Sequence, residues 1–179
     1  MKWMIASDIH GSATCCRQLL DRFQTEGADR LLLLGDLLYH GPRNPLPDGY
    51  DPKAVFTMLN GVRNVITAVR GNCDAPVDQW VLEFPMMAEY QLLHLGRRVV
   101  FLTHGDKWGP ENPPALPAGS VFVNGHFHLA AAEKRGDHYY LNPGSPALPH
   151  DDFRGYLILT ESHAELKTLD GITEKTLAF

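Results

Sequence analysis

Two pairs of side chains stand out for their chemistry: Asp8 with His10, and His126 with His128. A one-residue gap in an extended segment puts both side chains on the same side, about 6–7 Å apart along it. One segment can therefore offer two ligands to one ion, or one ligand to each of two neighbouring ions. Three further segments share the pattern of a strand-like run ending in a polar residue beside a glycine: Gly35-Asp36, Gly71-Asn72-Cys73-Asp74 and Thr103-His104-Gly105. Carboxylates and imidazoles together suit borderline-hard divalent metals such as Mn, Fe or Zn. Asp8, His10, Asp36, Asn72, His104, His126 and His128 are too many donors for one ion; with one carboxylate shared, they make two sites of four protein ligands each. Thiolate pairs of the Cys-x-x-Cys kind are absent, so a structural zinc site is not expected.

Taken singly, each segment has an ordinary explanation. Asp8 could cap the helix that follows, Gly35-Asp36 is a common turn or cap, and Gly71-Asn72 is a turn dipeptide. Alternate histidines at a strand end have little structural purpose. The functional reading rests on the ordered set of five.

For these residues to meet, the runs before them must be neighbouring strands. Ligands of open α/β sheets bind beyond the C-terminal ends of parallel strands. The apolar runs Trp3–Ala6, Leu31–Leu34 and Val65–Val69 each end at one of the polar words. Between them, 14–24 has helical spacing with Gly27 as a stop, and 52–59 has helical spacing with Asp51 as N-cap before Pro52. Continuous apolar strands separated by helices predict a parallel sheet covered on both faces. The second half changes character. Strands are expected at 91–95 and 99–103, at 121–123, and at 130–134 and 138–141, with hairpins around Gly96-Arg97-Arg98 and Gly136-Asp137. Further strands are expected at 156–159, 165–169 and 174–178. Together these give an α/β fold with two sheets. Proline clusters at 42–52 and 110–117, in the loops that follow Asp36 and His104, predict ordered irregular walls.

The chain of 179 residues fits one domain, 1–179, with enough length for a core that needs no disulfides. Sixteen basic against 21 acidic residues leave a net charge of −5. Such a balance argues against a stable nucleic-acid complex, which needs a basic surplus. Three cysteines, Cys15, Cys16 and Cys73, form no disulfide framework and suit a reducing compartment. Cys15 and Cys16 fall in the first expected helix, in structural positions. No run approaches membrane-spanning length. The expectation is a soluble cytoplasmic protein.

The full set resembles the calcineurin-like metallophosphoesterases, whose pattern is Asp-x-His, Gly-Asp, Gly-Asn-His or Gly-Asn-Cys, His, and Gly-His-x-His. The words His40-Gly41-Pro42-Arg43-Asn44, Gly109-Pro110-Glu111-Asn112 and Asn142-Pro143-Gly144-Ser145 narrow the likeness to a group of small bacterial phosphodiesterases. The resemblance covers residues 1 to about 150. It implies a four-layer αββα sandwich of two mixed β-sheets flanked by helices. It also implies a pair of divalent ions, typically Mn2+, with Fe, Zn or Ni as alternatives. Asp8, His10 and His128 would hold one ion, and Asn72, His104 and His126 the other, with Asp36 bridging. The implied reaction is hydrolysis of a small or nucleotide-like phosphodiester by a hydroxide shared between ions about 3.5–4 Å apart. A phosphomonoesterase, a nucleotide pyrophosphatase or a non-enzymatic scaffold of the same fold are the alternatives, and a homo-oligomer fits the resemblance.

Cys73 stands where many relatives have a histidine read as the general acid. A thiol, with a reference pKa of about 8.5, is a poorer proton donor beside two dications. Esters with good leaving groups are therefore expected to be preferred, unless another group donates. Cys73 is equally well read as a small packing residue. Arg43 is the candidate cation for substrate phosphate, or an exposed surface arginine. His40 is a candidate proton donor or supporting residue. Tyr39, Trp108 and Phe127 flank the ligand words as candidate stacking surfaces.

Overall fold

Trp3–Ala6 and Leu31–Leu33 offer almost no polar group to water, and both become central strands buried on two faces. The computed structural model describes residues 1–179. In chain order the elements are β1 (Trp3–Ala6), α1 (Ala13–Glu26), β2 (Arg30–Leu33), α2 (Pro52–Gly61), β3 (Ile66–Ala68), β4 (Tyr90–Leu95) and β5 (Arg98–Thr103). There follow β6 (Val121–Val123), β7 (Ala130–Arg135), β8 (His138–Pro143), β9 (Gly155–Leu159), β10 (His163–Thr168) and β11 (Thr173–Ala178).

One six-stranded sheet has the order β11-β10-β9-β1-β2-β3; a five-stranded sheet has the order β4-β5-β6-β8-β7. In the first sheet β1, β2 and β3 run parallel, and the C-terminal strands add an antiparallel half. In the second sheet β5, β6 and β8 are parallel, while β4 and β7 close the edges antiparallel. Strand alternation divides the core. Met4, Ala6, Leu31, Leu33 and Ile66 face Cys16, Leu19, Val55 and Leu59 of the helices. Trp3, Ile5, Leu32 and Leu34 face Val100, Leu102, Val121, Val123 and Leu141 of the other sheet.

The expected two-sheet α/β sandwich is therefore present, with its outer covering unevenly made. Both α-helices pack on the first sheet. The second sheet instead carries an aromatic ladder of Tyr90, Phe101, Phe122 and Tyr140, with successive ring centroids 5.3, 5.7 and 6.1 Å apart. Leu116 packs against that ladder. It comes from a connection holding Pro110, Pro113, Pro114 and Pro117, which cannot form a regular helix.

Local signals resolve as expected at several ends. Gly27 caps α1 at φ 59°. Asp51 accepts from the Ala54 amide at 3.0 Å, with Pro52 at the first helical position. Gly96-Arg97 and Gly136-Asp137 are tight connections within hairpins, with Gly96 and Gly136 at φ 60° and 57°. Val65 falls in a short 3-10 turn instead of the strand that follows. Residues 75–88 carry no regular strand or α-helix, and Gln79 organises them. Its amide donates to the Leu82 and Phe84 carbonyls at 2.8 and 2.9 Å, and its oxygen accepts from the Met86 amide at 3.0 Å.

Glu26 closes the helix layer onto the sheet. Its carboxylate accepts from Lys2 Nζ at 2.9 Å, Lys167 Nζ at 2.5 Å and Tyr156 Oη at 2.9 Å. Burial works against ionisation here, but Lys167, Lys2 and Tyr156 together hold the carboxyl down at about 2, from an ordinary 4.5. A folded-state pKa below the unfolded one means that this stabilisation is complete above pH 4.5 and is lost as pH falls toward 2. Glu26→Gln is expected to lower stability at neutral pH by about 2 kcal/mol. The gap from wild type should close through that acid window in a denaturant titration. A gap independent of pH would contradict the assignment.

Candidate metal centre

All five polar words lie at the C-terminal ends of strands, on one edge of the two facing sheets. Asp8 and His10 follow β1, Asp36 follows β2, Asn72 follows β3, His104 follows β5, and His126 and His128 follow β6. The loops are tied to one another by backbone bonds. The Asp8 and His10 amides donate to the Gly35 and Asp36 carbonyls at 3.1 and 2.9 Å, and the Gly125 amide donates to the His104 carbonyl at 2.8 Å.

Five of the site residues are held in the left-handed region that favours glycine: Asp8 (φ 56°), His10 (49°), Asp36 (54°), His126 (66°) and His128 (54°). Asp and His visit this region more readily than most residues, but it remains a strained choice found at functional sites. The adjoining glycines are required for space. A Cβ at Gly71 would collide with the Asp36 carboxylate, and one at Gly125 with the Ser7 hydroxyl and the Asp8 carboxylate.

The result is two contiguous groups of donor atoms. In the first, His128 Nε2 lies 3.1 Å from His10 Nε2 and 3.2 Å from Asp8 Oδ1. His10 Nε2 in turn lies 3.6 Å from Asp8 Oδ1 and 3.8 Å from Asp36 Oδ2. In the second, His104 Nε2 lies 2.9 Å from Asn72 Oδ1, 3.2 Å from His126 Nδ1 and 3.5 Å from Asp36 Oδ2. Asp36 Oδ2 belongs to both groups. All seven residues singled out from the sequence as metal ligands are thus brought together.

Tautomers decide what these contacts mean. The Nδ1 atoms of His10, His104 and His128 face the backbone carbonyls of Tyr39, Leu34 and Leu148 at 2.8, 2.7 and 2.5 Å. A neutral imidazole carries one N–H; donating it to the carbonyl leaves Nε2 as a bare lone pair. Nε2 of His10 and of His128 then face each other as lone pairs, as do His104 Nε2 and Asn72 Oδ1. Such an arrangement is repulsive unless a cation lies among the donors, so the residues present fit a bound metal.

The electrostatics agree. Burial opposes ionisation of Asp8, yet the imidazoles of His10, His128 and His104 beside it hold it well below the usual carboxylate range. Burial likewise opposes charging of His10 and His104, but Asp8 and Asp36 draw both upward. His126 is pushed down, by burial and by His104 beside it. The cluster as a whole attracts positive charge.

Asp74 is the brace beneath this arrangement. Only 2% exposed, it accepts from the Asp36 and Gly71 amides at 2.8 Å each and from the Leu37 amide at 3.0 Å. Burial and the nearby Asp36 raise its pKa, against the pull of those three amides.

The donor atoms open into a cleft of about 540 Å³ lined among others by Tyr39, Arg43, Asn44, Cys73, Phe127 and His150. Arg43 and Cys73 both line this cleft. Burial, then the charges of Asp36, Asp74 and Asp8, push the Cys73 thiol up to about 12. His40 lies beside the cleft. Its ring sits edge-on between Tyr39 and Tyr50, at 4.7 and 5.2 Å, and is not part of the cleft wall. The two neighbouring tyrosines hold it aside. Trp108 is also absent from the lining, whereas Tyr39 and Phe127 line it.

His150 was missed. It stands on the segment after β8, where Ser145 Oγ donates to the Asp8 carbonyl at 2.8 Å and Leu148 supplies the acceptor for His128. Its Nδ1 lies 3.1 Å from the Phe127 carbonyl, and its ring lies 4.9 Å from that of His128. The spacing of Pro143, Pro146 and Pro149 around it was the available signal of an ordered strap.

Comparison with known proteins adds independent findings. The calcineurin-like phosphoesterase superfamily domain matches residues 1–164. Phosphodiesterase YfcE of Escherichia coli K12 is 51% identical over 149 residues, which cover 83% of this chain and 81% of that protein. The solved structure of the E. coli phosphoesterase YfcE superposes with a TM-score of 0.97 at 45% identity, covering 99% of each chain. Zinc-complexed Vps29 of Entamoeba histolytica shares the fold with a TM-score of 0.65 at 20% identity, covering 99% of each chain.

Proposed function

The chain belongs to the calcineurin-like phosphoesterase superfamily and is an enzyme of its phosphodiesterase kind, and from that premise we propose that it hydrolyses small phosphodiesters with a pair of divalent cations. The observation that carries this reading is the facing of bare histidine nitrogens and carboxylate oxygens in two groups that share Asp36 Oδ2. Asp8, His10 and His128 would hold one cation and Asn72, His104 and His126 the other, with Asp36 between them. Mn2+ is the expected ion, since mixed carboxylate, amide and imidazole donors suit it. When bound, such a pair supplies Lewis acidity and an acidified water as nucleophile.

The chain's own groups supply the rest. Asn72 offers its amide oxygen as a ligand and keeps its NH2, now 3.3 Å from Cys73 Sγ, as a donor for a phosphate oxygen. Arg43 projects from the proline-stiffened loop into the cleft, where it can pair with the phosphate. Cys73 occupies the wall beside Asn72, and its surroundings suit it poorly to protonating a leaving group. Diesters with good leaving groups are the substrates this arrangement favours.

The test is to strip the protein of metal, confirm that it is folded, and add Mn2+ with bis-p-nitrophenyl phosphate or p-nitrophenyl phosphate. Metal-dependent hydrolysis that favours the diester is expected. A faster monoester would shift the reading to a phosphomonoesterase. Absence of metal-stimulated hydrolysis of either would overturn it.

A further inference from the structure

A second cleft shares Asn72 with the first but not Arg43. It holds about 170 Å³ and is lined by Arg70, Gly71, Asn72, Glu89, Asp106 and Lys107. No apolar side chain lines it. Its main chain is tied down on several sides. The Arg70 amide donates to the Ala88 carbonyl at 2.8 Å, and Arg70 Nε donates to the carbonyl of the brace residue Asp74 at 3.1 Å. Thr103 Oγ1 holds the Glu89 carbonyl at 3.3 Å, and Asn112 Nδ2 holds that of Lys107 at 2.8 Å. Lys107 and Glu89 form an ion pair within the wall.

We propose that this cleft receives one ester arm of the substrate and selects a small polyhydroxyl group there, such as a glycerol moiety. The inference rests on the phosphodiesterase reading above. A phosphodiester has two arms diverging from phosphorus, so a phosphate held at Asn72 that sends one arm along the Arg43 cleft must send the other elsewhere. The second cleft starts at that same asparagine. Its size admits about five or six water-sized groups, taking about 30 Å³ for each. Its lining holds two cations, Arg70 and Lys107, and two carboxylates, Glu89 and Asp106. An aromatic arm would strip water from these charges and give nothing in return. Hydroxyls donate to Glu89 and Asp106 and accept from Arg70 and Lys107, so a polyol meets both kinds of group. The larger cleft, with Tyr39 and Phe127 in its wall, takes the bulkier arm.

Two p-nitrophenyl diesters with the same leaving group test this, one retaining a glycerol arm and the other a phenyl arm. With Mn2+, wild type is expected to show the higher kcat/KM for the glycerol diester. In the double variant Glu89→Gln, Lys107→Gln the glycerol-to-phenyl ratio should fall about tenfold, the scale of one lost hydrogen bond to a charged group. An unchanged ratio, whether both rates fall or neither does, would overturn the inference and leave the phosphodiesterase reading standing. Hydrolysis of neither diester by folded, manganese-loaded wild type would remove that reading and this inference with it. A second measurement needs no variant and no turnover. Glycerol 1-phosphate added to the protein should shift the amide NMR signals of Gly71, Glu89 and Lys107. Shifts confined to Asn44 and Phe127 would count against the second cleft.

Discussion

Asp36→Asn is expected to cut phosphodiester hydrolysis on the order of 10³-fold while leaving the protein folded. The size of the effect follows from orientation. Asp36 Oδ1 accepts the Cys73 amide at 2.8 Å, and Oδ2 faces both donor groups. An asparagine in the same pose must keep its oxygen on the Cys73 N–H. Its NH2, which has no lone pair to give, then turns to the position that both proposed cations would share. The single isosteric change therefore removes a ligand from each site and adds a donor that repels cations. Metal content measured on the purified variant should drop together with the rate. Full activity with two ions retained per chain would contradict the shared role of Asp36.

Asp74→Ala should have the largest effect on stability. It deprives the amides of Asp36, Leu37 and Gly71 of their acceptor in a place that water does not reach. Each buried donor left unpaired costs about 1–3 kcal/mol, so a loss of about 3–5 kcal/mol is expected with partial relaxation. At about 2–4 °C per kcal/mol for a chain of this size, melting should fall by about 6–20 °C. Affinity for Mn2+ should fall about 10- to 100-fold, because the backbone that aims Asp36 loses its support. Asp74→Asn keeps one acceptor oxygen and should lie between. A variant that melts like wild type would show that these amides find other partners.

The candidate metal ligands were legible because each of the five segments is announced locally: an apolar run, then ligand-type residues with a glycine among them. The same holds for Gly27, Asp51 and the two glycine hairpins, where one residue's conformational preference settles the outcome. What the residues could not announce were partners distant in the chain. The acceptors that fix His10, His104 and His128 are main-chain carbonyls of Tyr39, Leu34 and Leu148. Any residue presents such a carbonyl, so its position leaves no mark in the sequence. For the same reason residues 75–88, organised by the amide of Gln79, could not be assigned. His40 was a candidate by neighbourhood alone, and the two tyrosine rings it packs between could not be read from that neighbourhood. The second sheet is covered by the loop that carries Leu116, where Pro110, Pro113, Pro114 and Pro117 exclude a regular helix.

The five left-handed backbone positions carry a consequence for how such a chain can change. At about 1 kcal/mol apiece, the conformations of Asp8, His10, Asp36, His126 and His128 are a standing thermal liability that glycine would relieve. Random substitution under selection for heat endurance alone should therefore drift toward glycine first at His126, the least buried of the five, whereas Asp8 and Asp36 are also kept by the His126 and Cys73 amides that donate to them. Keeping the chemistry means keeping the liability, and mutational robustness has to be gathered in the sheets instead.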